Sequence, residues 1–195
     1  LVSESYSTSK YFTTMIFSFI ILIPLLTMRL FAEERKGRTE QLLLTAPVSI
    51  TSMVFAKYLA ALTLYASALL LTSINTIPLF VFAEPEPGII IGSYIAIFLV
   101  GAAFLAVGIF MSSLTENQLA AAIGTIAIIT AFLLVGVLAS LFPSSHWFRM
   151  YVLNFLSILS RFQGFSYGYF DISSIVYYLS ISAIFLYLTV RIYDR

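Results

Sequence analysis

The densest chemistry in this sequence lies between Glu33 and Glu40, where Glu33, Glu34, Arg35, Lys36, Arg38 and Glu40 crowd into eight residues. Glu34 with Arg38 and Lys36 with Glu40 are spaced i,i+4, so both pairs can close on a helix, while Gly37 between them loosens or bends it. Leu42, Leu43 and Leu44 then offer a small apolar surface, and Pro47 ends the segment. A positive-inside membrane anchor needs only basic residues. Three glutamates placed among them suit a short surface helix that docks a soluble partner, its ion pairs giving orientation and its leucines an apolar key. Ser49 or Thr51 can cap the helix that follows.

Little other chemistry is on offer. There is no cysteine, so disulfides and thiolate metal sites are excluded. His146 is the single histidine and has no carboxylates clustered around it in sequence, so no metal is expected. No His-Glu-x-x-His motif or pair of intramembrane aspartates points to an intramembrane hydrolase. No Gly-x-x-x-x-Gly-Lys-Ser/Thr loop is present to hold nucleotide phosphates. A net charge of +1 gives no electrostatic case for nucleic acid.

The elements that position these residues follow from the solvent they need. The chain is 61% hydrophobic and only 10% charged, against roughly 25% charged in a soluble domain. Lipid must replace water over much of its surface. A bilayer core about 30 Å thick takes roughly 20 apolar helical residues, and five stretches qualify: 11–30, 53–82, 89–111, 118–141 and 173–193. The Glu84-Pro85-Glu86-Pro87-Gly88 run is a turn, and the short 112–117 loop forces an antiparallel hairpin. The expected fold is an all-α, polytopic membrane bundle forming one transmembrane domain over residues 1–195.

Placing the 31–52 loop, the 112–117 loop and the C-terminus on one side gathers Arg29, Arg35, Lys36, Arg38, Lys57, Arg191 and Arg195 there, against Lys10, Arg149 and Arg161 opposite. That bias puts the first group, and the C-terminus, in the cytoplasm. It also leaves the N-terminus outside, so a sixth span is expected upstream of Leu1. Small residues four apart, Gly92 with Ala96, Ala102 with Ala106, Ala120 with Gly124 and Ala127 with Ala131, are expected packing faces. Lys57 can snorkel to the headgroups. Asn75 lies deeper, near Thr72 and Ser73, and polar groups at such depth face other helices or a cavity. The aromatic-rich external region from Trp147 to Phe170 holds Asn154 and Phe155. Its 151–162 stretch is too short to span, which suits a re-entrant or interfacial helix. Asn75, Asn154 and Phe155 are the candidates for a pathway or gate.

The run FAEERKGRTEQLLLTAPVS resembles the segment after the second span in permeases of the ATP-binding-cassette type-2 (ABC-2) exporter family. Glu33-Glu34, Arg35-Lys36, Thr39, Leu42-Leu43-Leu44-Thr45 and Pro47-Val48 match that pattern without a gap. Arg38 stands where the family commonly has glycine, with Gly37 one residue early, and Gln41 stands where it commonly has glutamate. Ser112 to Gln118 resembles the loop between the family's fourth and fifth spans. The resemblance implies that residues 33–45 form a coupling helix seated in a cleft of an ABC ATPase subunit. Glu33, Glu34, Arg35, Lys36, Arg38, Thr39, Glu40 and Leu43 would make the contact. It also implies a second permease copy, identical or homologous, and ATP with its magnesium on the partner rather than on this chain. The expected function is then the membrane subunit of an ATP-driven exporter working by alternating access, itself not an enzyme. Amphipathic small molecules or lipids rank first as cargo. The competing classes are an ion-coupled secondary transporter, disfavoured because no acid lies inside a span, and a noncatalytic membrane scaffold.

Overall fold

The computed structural model describes residues 2–39, 48–76, 87–141, 153, 156–166 and 171–194. Its α-helices are α1 (Val2–Thr27), α2 (Ala32–Lys36), α3 (Ile50–Thr72), α4 (Pro87–Leu114), α5 (Gln118–Leu141), α6 (Ile158–Ser166) and α7 (Ile172–Tyr193), with a 3₁₀ turn at Ser73–Thr76 closing α3. There is no strand among the described residues. Five stretches are long and apolar enough to cross a membrane, Tyr11–Lys36, Ile50–Thr76, Pro87–Leu114, Gln118–Leu138 and Ile172–Tyr193. The protein is a multi-pass, all-α membrane bundle.

The ends of the spans are set by local polar groups. Ser49 accepts the Ser52 N–H at 3.3 Å and starts α3, and Asp171 accepts the Ser173 N–H at 3.0 Å to start α7. Asn117 accepts the Leu119 N–H at 3.0 Å at the start of α5. Only Thr115–Asn117 separate α4 from α5, so Ser112 and Ser113, expected in the loop, belong to the last turn of α4. That extra turn matters for the site.

The bundle is built around α4, which packs against α1, α3, α5, α6 and α7. Gly92, Ala96, Ala102 and Ala106 are all buried, so both small-residue pairs expected on this helix face its neighbours. On α5 the expectation holds at Gly124, which is half-buried against Met111 of α4, and fails at the three alanines. Ala120, Ala127 and Ala131 are exposed, and the buried face consists of Ala121, Ala122, Thr125, Ile129 and Leu133. Identical small-residue spacing recurs on both sides of an apolar helix, so spacing alone does not choose the face.

Tyrosine hydroxyls tie the spans together through backbone carbonyls. Tyr58 donates to Ala102 O at 3.3 Å and Tyr65 to Ile97 O at 2.7 Å, joining α3 to α4. Tyr178 of α7 donates to Ile158 O at 3.0 Å. In an apolar medium these ends need an acceptor, which fixes the rotation of each helix.

Of the 151–162 stretch expected to form a re-entrant or interfacial helix, residues 151–152 and 154–155 lie outside the described residues. The helix described there is α6, Ile158–Ser166, whose Ile158, Phe162 and Phe165 are buried, and it packs on α4 and α5. Gly136 of α5 admits it: a Cβ there would meet Ser157 Oγ at 2.8 Å and Leu159 Cβ at 3.2 Å. Arg161 donates to Ser173 Oγ at 3.1 Å and lies 4.5 Å from the Tyr177 ring centroid, fastening α6 to α7.

Candidate functional site

The chain leaves α1 at Thr27, turns through Met28–Phe31 and starts α2 with no polar side chain at its own cap position, since Phe31 stands there. A helix start leaves N–H groups that need acceptors. Here α4 supplies one from across the fold. Ser112 Oγ accepts from Phe31 N at 3.0 Å and Ala32 N at 3.1 Å and donates to Met28 O at 3.1 Å. This hydroxyl is fully buried and satisfies three backbone groups of the turn at once.

Two side chains of α2 continue the attachment. Glu34 pairs with Lys57 of α3, whose ammonium also donates to Leu30 O and lies 4.2 Å from the Phe31 ring centroid. Lys57 therefore turns to α2 rather than snorkelling to headgroups, and Glu34 takes Lys57 rather than Arg38 as its partner. Arg35 donates to Ser113 O at 2.7 Å, and its guanidinium lies 5.9 Å from the Tyr193 ring centroid. Tyr193 in turn sits 5.1 Å from the Phe31 ring, between centroids. One short helix is thus held by α3, α4 and α7 together.

The far end of α2 closes with a Schellman turn. Thr39 N donates to Glu34 O at 3.0 Å and Arg38 N to Arg35 O at 3.2 Å, which places Arg38 at the left-handed position with φ 56. Gly37 keeps a right-handed φ of −80. The helix ends at Lys36, and Glu33, Lys36, Arg38 and Thr39 are exposed, while Glu34 and Arg35 are half-buried. A helix with one face fixed to three spans and a mixed-charge face left open can receive a soluble protein and pass its displacement to the bundle.

Residues 3–192 match the model of a family described as ABC-2 family transporter protein. The chain belongs to that family. No curated protein matches the chain. ABC-2 permeases are membrane transport components rather than enzymes themselves, and they generally work with an ABC ATPase subunit.

Within this ABC-2 permease the expected site residues divide by position. Glu33, Glu34, Arg35, Lys36, Arg38 and Thr39 are together on α2 and its closing turn, whereas Glu40 and Leu43 lie outside the described residues. Of the pathway candidates, Asn75 is exposed on the 3₁₀ turn, and Asn154 and Phe155 lie outside the described residues. An apolar crevice of about 390 Å³ opens instead between α3 and α4, lined by residues including Ala66, Leu69, Tyr94, Phe98 and Leu99. The Tyr94 hydroxyl donates to Thr72 O at 3.2 Å beside it.

Sequence reasoning missed Ser112, the Ser113 carbonyl and Tyr193. The signal available was slight: a Ser-Ser pair at the end of an apolar run, and a span ending in tyrosine. Nothing in spacing joins residues 80 positions apart.

Proposed function

We propose that this permease is the membrane subunit of an ATP-driven exporter, and that α2 with the residues following it to Thr45 seats in a cleft of a separate ABC ATPase subunit. The observation carrying this is the two-sidedness of α2. Its open face presents Glu33, Lys36, Arg38 and Thr39, and its inner face is tied through Ser112, Lys57, Ser113 and Tyr193 to three spans.

On this proposal the ATPase binds ATP and magnesium, and two permease copies, identical or homologous, line the path between them. Closure of the ATPases pushes both α2 helices. Because Ser112 and Arg35 attach α2 to α4, and Lys57 attaches it to α3, the push reaches the helices that bound the 390 Å³ crevice. Alternating access then needs only differential affinity of the nucleotide-bound ATPase for the two arrangements. The α2 end and the C-terminus face the cytoplasm, in keeping with the basic-residue bias. The apolar lining of the crevice supports an amphipathic small molecule or lipid as cargo.

Affinity purification of the intact protein in mild detergent, with mass spectrometry of its companions, tests the proposal. An ATPase subunit should be recovered with the permease and lost in the double charge reversal Glu33→Lys, Lys36→Glu, with folded permease still recovered. Recovery of a dimeric permease alone would point to a scaffold or a secondary transporter.

A further inference from the structure

Beside the α2 junction, α4 and α7 end together and leave an open groove of about 250 Å³ lined by Phe110, Leu114, Leu188, Ile192 and Arg191. Phe110 and Leu114 are i,i+4 on α4. Leu188 and Ile192 are i,i+4 on α7, with Arg191 beside them. The Phe110 and Phe185 rings meet edge to face at 5.5 Å alongside the groove. Its walls are hydrocarbon, and among the described residues lining it the charged group is the Arg191 guanidinium.

We propose that this groove holds an anionic phospholipid, one acyl chain lying along Leu114, Leu188 and Ile192 and the phosphate on Arg191. Three features point there. Arg191 occupies the last turn of a span, the depth at which a bilayer places its phosphates. Its side chain is 61% exposed, and its carboxylate neighbour, Asp194, is as exposed and 3.9 Å away. A pair so wet and long holds the guanidinium weakly, leaving its fork of donors available for bidentate contact with a phosphate. Finally, the groove is smaller than the roughly 300–1,000 Å³ of drug-sized ligand sites, yet open along its length, with Leu114 and Leu188 exposed, which suits a length of acyl chain. A cation placed only to complement the helix end or to orient the span needs no apolar groove beneath it.

A neighbouring contact gives the site a consequence. Tyr193, the residue after Ile192, holds the Phe31 ring and the Arg35 guanidinium. A lipid packed against Ile192 therefore supports the wall on which α2 rests.

The test uses the full chain in mild detergent, with phosphatidylglycerol and phosphatidylcholine added as probes and retention read by native mass spectrometry. Phosphatidylglycerol should be retained about fivefold over phosphatidylcholine, the discrimination one boundary arginine gives an anionic headgroup. Arg191→Gln should abolish that preference, and Arg29→Gln, at another exposed boundary position, should keep it. Leu188→Trp, which fills the groove, should displace both lipids, and it serves as a second test if Arg191→Gln fails to fold. A preference that survives Arg191→Gln, or falls equally in Arg29→Gln, overturns the proposal. So does thermal stabilisation by inorganic phosphate equal to that by phosphatidylglycerol, which would mark a bare anion site. Leu188→Trp that keeps its lipid but loses self-association would also overturn it, assigning the groove to a second copy.

Discussion

Helices α4 and α5 have the same mean hydropathy, 2.5 over their most apolar stretches, yet 72% of that stretch is buried in α4 and 22% in α5. Hydropathy states which solvent a helix accepts, and both accept lipid. What separates them is which neighbours fill their holes. At Gly101 of α4 an added Cβ would stand 2.1 Å from Tyr65 Cζ, and at Gly108 it would stand 2.2 Å from Thr27 Oγ1. Rigid or bonded knobs from α3 and α1 fill both. On α5, the contact at Gly124 is with Met111 Cε, the tip of a flexible side chain, and that at Gly136 is with Ser157 and Leu159 of the short α6 region rather than with another span. Centrality in this bundle is decided by close approach, in keeping with helix association in lipid generally.

The strongest test of that comparison is a small residue enlarged on each helix. Gly101→Val drives two methyl groups into the Tyr65 ring, whose hydroxyl is anchored on Ile97 O at 2.7 Å. It should destabilise by about 3 kcal/mol, at the upper end of overpacking, seen as a lowered melting temperature in detergent. Ala127→Val on exposed α5 should stay within about 0.5 kcal/mol. Equal losses would break the comparison and show that the outer face of α5 is covered by another chain.

Polar groups should sort the same way. Ser112→Ala on α4 leaves the Phe31 and Ala32 N–H groups without their acceptor at a buried turn. About 2 kcal/mol is expected, together with faster hydrogen exchange at those two amides. Thr125 of α5 is as buried, but its hydroxyl bonds only Ala121 O of its own helix at 2.8 Å. Thr125→Val keeps the shape and should cost under about 1 kcal/mol. Slow exchange at Phe31 in Ser112→Ala would show that α2 is held without α4.

How much of this was legible depends on the range of the interaction. Five spans follow from length and hydropathy, which are local, and Ser49 is a cap recognisable from its type and place. The ends moved where a helix takes in polar residues: α4 runs on to Leu114, and within that last turn Ser113 satisfies its hydroxyl on Phe110 O at 2.7 Å. The mixed charges of α2 marked the site. Their partners were illegible, because the i,i+4 rule offered Arg38 to Glu34, whereas the fold brings Lys57 from 23 residues away. The inward face of α5 was equally closed to inspection, since alanines stand four apart on the exposed side too.

Helix α3 is 28% buried over its apolar stretch, close to α5, yet it too is tied to α2, and that tie should be weaker than the one α4 makes. The Lys57 and Glu34 side chains are 17% and 31% exposed, so solvent screens the pair and a coupling of about 1 kcal/mol is expected. A double-mutant cycle with Lys57→Met and Glu34→Gln, read by thermal unfolding, measures it. A coupling near zero would leave α4 as the principal support of α2. One approaching that of Ser112 would make α3 its equal.

The smallest effect concerns the open end of α2, away from both helices compared. Arg38 holds φ 56, a left-handed conformation that disfavours a side chain by roughly 1–2 kcal/mol. Gly37, one residue earlier, has a right-handed backbone, where a Cβ would meet Glu33 O at an ordinary 3.4 Å. The glycine thus stands one place before the position that would use it. Arg38→Gly should relieve the strain while raising the entropy of the unfolded chain, for a net stabilisation of about 0.5 kcal/mol. If Arg38 serves the ATPase, the same variant should lose recovery of that subunit while gaining stability. The opposite signs would show that the conformational cost is kept for contact on the open face. Gain of stability with unchanged recovery would assign docking to Glu33, Lys36 and the residues beyond Thr39.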